Sequence, residues 1–148
     1  MTGDFTTETK ELICHHIEEE HGYLSWLDVS VEEFTADTIT MTVPYDEKLT
    51  NTTDPPTIHG GIAATLSDTA GGVALRPSLS DPVGGGVATI NLNVNYLRRA
   101  SGDLTARAEV VRAGNSVGVS EIYVESETPT GTVEPVAVGT GAYRLFQG

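Results

Sequence analysis

The chain has 148 residues, enough for one domain whose single core can bury roughly two-thirds of the surface its unfolded form exposes. Twenty-one acidic against 8 basic residues give a formal net charge of −13, a surface that repels nucleic acid and anionic lipid. Cys14 is the single cysteine, which excludes an internal disulfide and a cysteine-based zinc site and fits a reducing compartment. Met1 to Lys10 shows no basic segment followed by an apolar run, and no apolar stretch approaches the ~20 residues that span a bilayer, so a cytoplasmic protein with no membrane partner is expected. Scarce lysine, only Lys10 and Lys48, with abundant Asp and Glu resembles the proteins of salt-loving archaea, where high salt screens self-repulsion.

In chain order, Thr6 to Glu20 predicts a helix with Leu12, Ile13, His16 and Ile17 on one stripe and Gly22 as its stop. Leu24 to Phe34 and Thr38 to Pro44 read as two strands hinged near Ala36-Asp37, a hairpin. Asp46 to Ile58, broken by Asn51, Asp54, Pro55 and Pro56, reads as a shaped loop. His59 to about Leu75 predicts a second helix, so poor in charge that burial on nearly all sides is implied. A Pro- and Gly-rich turn over residues 76–86 leads into four strands, Val87 to Leu97, Asp103 to Arg112, Ser116 to Ser126 and Pro135 to Phe146, expected as an antiparallel meander. The layout is α+β in a single domain over residues 1–148.

Chemistry gathers on the second helix. At about 100° per residue, Gly61, Thr65, Asp68 and Gly72 share one narrow face, so a carboxylate lies on a glycine-lined side of a buried helix. Gly71 and Gly72 each cost up to ~1 kcal/mol relative to alanine, so a close approach by sheet, helix or ligand must need the missing side chains. Glycines at the helix start, His59-Gly60-Gly61, let an oxygen reach free N–H groups where the helix dipole favours negative charge. An oxyanion hole with a carboxylate describes acyl transfer to water, with Asp68 as general base or as nucleophile. Taken singly, a Gly-Gly pair is a turn or cap, Asp68 a hydrogen-bonded helix residue, and His59 a packing residue; their combination is what points to catalysis.

These residues, together with Leu66-Ser67-Asp68-Thr69-Ala70 and the run from Val87 to Arg98, resemble the hotdog-fold acyl-CoA thioesterases of the phenylacetate-pathway (PaaI-like) type, which include the thioesterase-superfamily member 2 proteins. The similarity runs from about Asn51 to the C-terminus. It implies an antiparallel sheet wrapped around one long central helix, here with an extra N-terminal helix. It further implies homodimers, which can pair into tetramers, with Asp68 of one chain serving a thioester held by His59-Gly60 of the other.

Carried over by position, the resemblance makes Asp68 the catalytic carboxylate and gives the oxyanion donor to Gly60 with His59 in support. Thr89 becomes a water-positioning residue, and Asn51 fills the place of an asparagine before the histidine, in a loop longer than the family's. Thr89 is expected on the polar face of its strand with Asn91, Asn93 and Asn95. The substrate's coenzyme A is placed along Tyr96, Arg98 and Arg99 and along the turn with Arg112, Gly114, Asn115 and Ser116, with Gly61 beside the thioester. Guanidinium groups suit its phosphates, and the bland alternative is that these arginines balance acidic neighbours. No cofactor is implied, because coenzyme A is part of the acyl-CoA substrate. No metal site is expected from His15, His16, His21 and His59, which lack ligand spacing. The competing readings are a hotdog hydratase or dehydratase, opposed by the absence of a proline-rich histidine motif, and a non-catalytic acyl-CoA-binding module, which would share the fold.

Overall fold

The computed structural model describes residues 5–148. Thr6 caps the first helix, α1 (Thr7–His15), by accepting from the Thr9 N–H at 3.1 Å. The helix then widens into a π-helical turn, His16–Glu20. Ile13 and Ile17 are buried, but Leu12 is about half exposed and His16 lies at the surface, so the expected stripe is only partly sunk. Gly22 is not a stop. His21 takes extended geometry and its Nδ1 accepts from the Leu24 N–H, which starts a second short helix, α2 (Gly22–Trp26). The strand expected from Leu24 therefore begins only at Ser30. Leu24 and Leu27, three apart, are buried from a helical turn, a spacing that short apolar runs leave ambiguous.

The hairpin follows as expected, β1 (Ser30–Phe34) and β2 (Thr38–Val43), paired antiparallel. Residues 46–58 form a loop closed by the bridge Thr50 to Ile58. The central helix is α3 (Gly60–Val73), followed by a 3-10 turn at Arg76–Ser78. The remaining strands are β3 (Gly86–Tyr96), β4 (Leu104–Ala113), β5 (Val117–Glu127) and β6 (Val133–Phe146). They form one antiparallel sheet in the order β1-β2-β4-β5-β6-β3. The four-strand meander is thus corrected. Only β4, β5 and β6 run as neighbours, and β3 crosses to the far edge to pair with β6. Gly102 reads as a hairpin turn in the sequence, but residues 97–103 carry the chain across the end of the sheet instead.

The sheet curves around α3, which packs on β2 through β6. Alternation along β4 and β5 supplies Ala106, Ala108, Ile122 and Val124 to this inner face, and α3 answers with Ala63, Leu66 and Ala70, small residues that let helix and sheet approach closely. Val31, Val43, Leu49 and the N-terminal Ile13 and Ile17 extend the same core.

Candidate active site

His59 is the N-cap of α3. Its Nδ1 accepts from the Gly61 N–H at 2.8 Å, which leaves Nε2 to carry the proton of the neutral ring. The His59 N–H donates to Leu49 O and the Ile58 N–H to Ala100 O, both at 2.8 Å, so loop and sheet end hold the cap from two sides. The Gly61 amide, expected beside the thioester, is consumed by this cap. The Gly60 N–H is the first amide of the helix without a protein partner among the described residues, and the dipole gives it a partial positive charge. Tyr96 crowds position 60: its ring lies 3.2 Å from where a Cβ would stand, and its hydroxyl donates to Gly60 O at 2.7 Å. Tyr96 thus steadies the first turn of α3 while also lining the cleft beside it.

Asn51, His59, Gly60, Tyr96, Arg98 and Arg99 line one cleft of about 510 Å³. Arg98 spends one Nη on Pro135 O at 2.8 Å, whereas Arg99 is exposed without a protein acceptor among the described residues. The turn with Arg112, Gly114, Asn115 and Ser116 is not in that cleft. It lies beside the opposite end of β3, since Tyr96 pairs with Ala137 while Gly86 pairs with Phe146 and Val117 with Arg144. The 11 residues of β3 separate the two arginine groups by roughly 33 Å within one chain.

Asp68 lies in the other half of α3, on a second cleft of about 460 Å³. The Thr89 hydroxyl donates to Asp68 Oδ1 at 2.7 Å. It can do so because β3 is bulged at Ile90: Thr89 pairs with Tyr143 but Asn91 pairs with Ala142, so the strict alternation breaks. Thr89 consequently faces the helix with Tyr143, not outward with Asn91, Asn93 and Asn95, which corrects the expectation from period two. One carboxylate oxygen is held and the other stays open to the cleft.

Two residues that sequence reasoning missed fix the helix under Asp68. The buried Tyr143 hydroxyl donates to Asp68 O at 2.9 Å, and the buried Ser120 hydroxyl to Gly71 O at 2.8 Å. Burial and the nearby Asp68 charge push the Tyr143 phenol well above the ordinary tyrosine range, so it remains a donor. Tyr143 also accounts for the glycines: a Cβ at Gly71 or Gly141 would fall inside its hydroxyl, and one at Gly72 would stand 3.2 Å from its ring. The glycine pair was the visible signal, while its partner stood 71 residues further along the chain. The N-terminal segment was missed too. Leu12, Ile13, Ile17 and Leu24 line the Asp68 cleft together with His16, Glu20, His21 and Arg76.

Gly60 and Asp68 are eight residues apart on α3, about 12 Å along the axis. A single thioester carbonyl cannot touch both. One chain therefore displays two separate groups, a free helix-start amide with a neighbouring arginine cleft and a held carboxylate with an apolar cleft.

The pattern that defines the thioesterase superfamily matches residues 56–133, more than half of the chain. A Halobacterium salinarum protein that carries a provisional esterase name is 50% identical over 150 residues, covering 99% of both chains. A Haemophilus influenzae protein with a similarly provisional esterase name is 31% identical over 125 residues, 83% of each. Among solved structures, a thioesterase from Haemophilus influenzae superposes with a TM-score of 0.76 at 25% identity, covering 99% of this chain and 94% of that one.

Proposed function

The chain belongs to the thioesterase superfamily, and from that premise we propose that it hydrolyses acyl-coenzyme A thioesters as a cytoplasmic homo-oligomer with its sites shared between subunits. The observation that carries the chemistry is the Thr89-held Asp68 carboxylate at the mouth of an apolar cleft, with a free Gly60 amide on the same helix. Two copies with α3 antiparallel bring Asp68 of one chain opposite His59-Gly60 of the other. The open edge of β3 supports that pairing. The same arrangement brings the Arg98-Arg99 end of one β3 toward the Arg112 turn of its partner, gathering cations for the nucleotide phosphates.

In the reaction, the thioester oxygen accepts from the Gly60 N–H, which stabilises the charge that develops when the carbonyl carbon becomes tetrahedral. Through its free oxygen Asp68 removes a proton from the attacking water, or attacks the carbon itself to form an anhydride that water then opens. The C–S bond breaks, and coenzyme A leaves as a thiol after taking the proton. Thr89 restricts the carboxylate to one orientation in either route.

The test is thiol release from a panel of acyl-CoA esters by wild type and Asp68→Asn in low and high potassium chloride. The expected result is turnover that falls by about 10²–10⁴ in Asp68→Asn. Binding of coenzyme A without turnover of any ester would replace the hydrolase by a binding module. A change in enoyl absorbance without thiol release would replace it by a hydratase.

A further inference from the structure

The cleft beside Asp68 contains a charge that the hydrolysis does not use. Arg76 lies two turns beyond Asp68, in the 3-10 turn that follows α3. Its Nη1 donates to Pro82 O and Gly85 O, each at 3.0 Å, which pins the 79–86 loop. Nε and Nη2 have no protein acceptor among the described residues, and no carboxylate there pairs with the guanidinium. Burial of part of the side chain lowers its pKa from the ordinary arginine value, while Nε and Nη2, not sealed from solvent, stay accessible from the cleft with no protein counter-ion among the described residues. A guanidinium stays charged even so, and its free Nε and Nη2 edge offers an incoming anion two parallel donors.

The rest of the wall defines what reaches it. Asp68 and Arg76 share this cleft with Ile13, Ile17, Val73, Val83 and Val87, an apolar lining that suits hydrocarbon. The other titratable groups lining the cleft are Asp68, Glu20, His16 and His21, with His16 and Glu20 exposed and 3.8 Å apart. Arg76 is thus the one permanent cation among the residues lining the cleft. Asp68 and Arg76 are eight residues apart, a separation on the order of 12 Å if helical rise is extended past the end of α3 at Val73.

Resting on the thioesterase reading, we infer that Arg76 is a specificity-determining residue and that the acyl group carries a carboxylate at its far end. The substrate class is the mono-thioester of a medium-chain dicarboxylic acid. The thioester carbonyl sits at Asp68, the methylenes lie along the valines and isoleucines, and the terminal carboxylate accepts from Nε and Nη2 of Arg76. Such a fork recognises planar oxyanions in two-point geometry, which a methyl end cannot exploit. Water is consumed, the C–S bond breaks, and the products are the free diacid and coenzyme A thiol.

The experiment compares kcat/KM for ω-carboxyacyl-CoA esters with methyl-ended esters of equal chain length, in wild type, Arg76→Gln and Arg76→Lys. A preference for the carboxylated series of at least about tenfold is expected in wild type, because hydrogen bonds to charged groups are worth that much. The ratio should fall to about unity in Arg76→Gln and recover partly in Arg76→Lys, with the change in KM rather than kcat. Because Arg76 also pins a loop, inhibition of the wild-type enzyme by free diacids against monoacids of equal length gives a second readout, and diacids should bind more tightly. Methyl-ended esters preferred in wild type, or an unchanged ratio in Arg76→Gln, overturns the role of Arg76 and leaves the hydrolase standing. No thiol released from either series overturns both.

Discussion

The hydroxyl of Thr89 reaches Asp68 Oδ1 at 2.7 Å from a strand whose alternation is broken one residue later, at Ile90. Without that extra residue Thr89 would face away from the helix, with the asparagines. Removing the hydroxyl while keeping shape, Thr89→Val, should lower kcat by about tenfold, the worth of a hydrogen bond to a charged group at a partly solvated site. KM should change little, and Thr89→Ser should keep most of the activity. Equal activity in Thr89→Val, measured by thiol release, would show that the contact orients nothing.

Tyr143 predicts a pH dependence of stability. Its phenol is raised above the ordinary tyrosine pKa of about 10 by burial and by the Asp68 charge. The sign follows from linkage: the unfolded chain releases this proton near pH 10 while the folded one retains it, so stability is complete below that pH and declines as pH rises above it. Tyr143→Phe removes the titration and the hydrogen bond to Asp68 O. Denaturant unfolding at neutral pH should show a loss of about 1–2 kcal/mol for this variant. Its stability should also fall less steeply than that of wild type between pH 10 and 11. Parallel curves would mean that another group controls alkaline unfolding.

Salt acts on the whole surface. Only two ion pairs are found among the described residues, His16 with Glu20 and Arg107 with Glu109, and both are substantially exposed. They contribute little against the self-repulsion of a net charge of −13. Raising potassium chloride from 0.1 M to 1 M shortens the screening length from about 10 Å to about 3 Å. The thermal midpoint should therefore rise over that range, by more than it does for a variant in which several exposed glutamates are replaced by glutamine. A midpoint independent of salt would place the stability in the core alone.

The central helix and the strand positions were legible because their signals are local. His59-Gly60 before an apolar run marks an N-terminus, and β-branched alternation marks β4 to β6. What escaped depends on partners distant in sequence. The crossing of β3 to the edge, the Ile90 bulge and the fit of Tyr143 against Gly71 and Gly141 are all consequences of packing. The α2 turn escaped because Leu24 and Leu27 suit a strand or a helix equally well over so few residues. Within the candidate site, the glycines at the helix start and the place of Asp68 on a glycine-lined face were readable from helical spacing, whereas Gly60 as the donor came from the family resemblance. Arg76 could not be foreseen, since nothing in the sequence tells that a lone arginine after a helix faces the same cleft as Asp68.

The 12 Å between Gly60 and Asp68 supports a test of the shared site itself. Asp68→Asn removes the carboxylate of one half-site, and His59→Ala removes the cap that shapes the oxyanion donor of the other. If each site takes Asp68 from one chain and His59-Gly60 from the other, neither variant alone has an intact site. A mixed dimer does: the His59→Ala chain supplies Asp68, and the Asp68→Asn chain supplies His59 and Gly60. Unfolding and refolding the two variants together should therefore restore about a quarter of wild-type turnover, since half of randomly paired dimers are mixed and each has one intact site of two. The same variants refolded separately and then assayed together should remain inactive for as long as the dimers do not exchange. Activity that never rises above the sum of the separate variants would place both groups of each working site in a single chain, and the α3 geometry would then have to change on substrate binding.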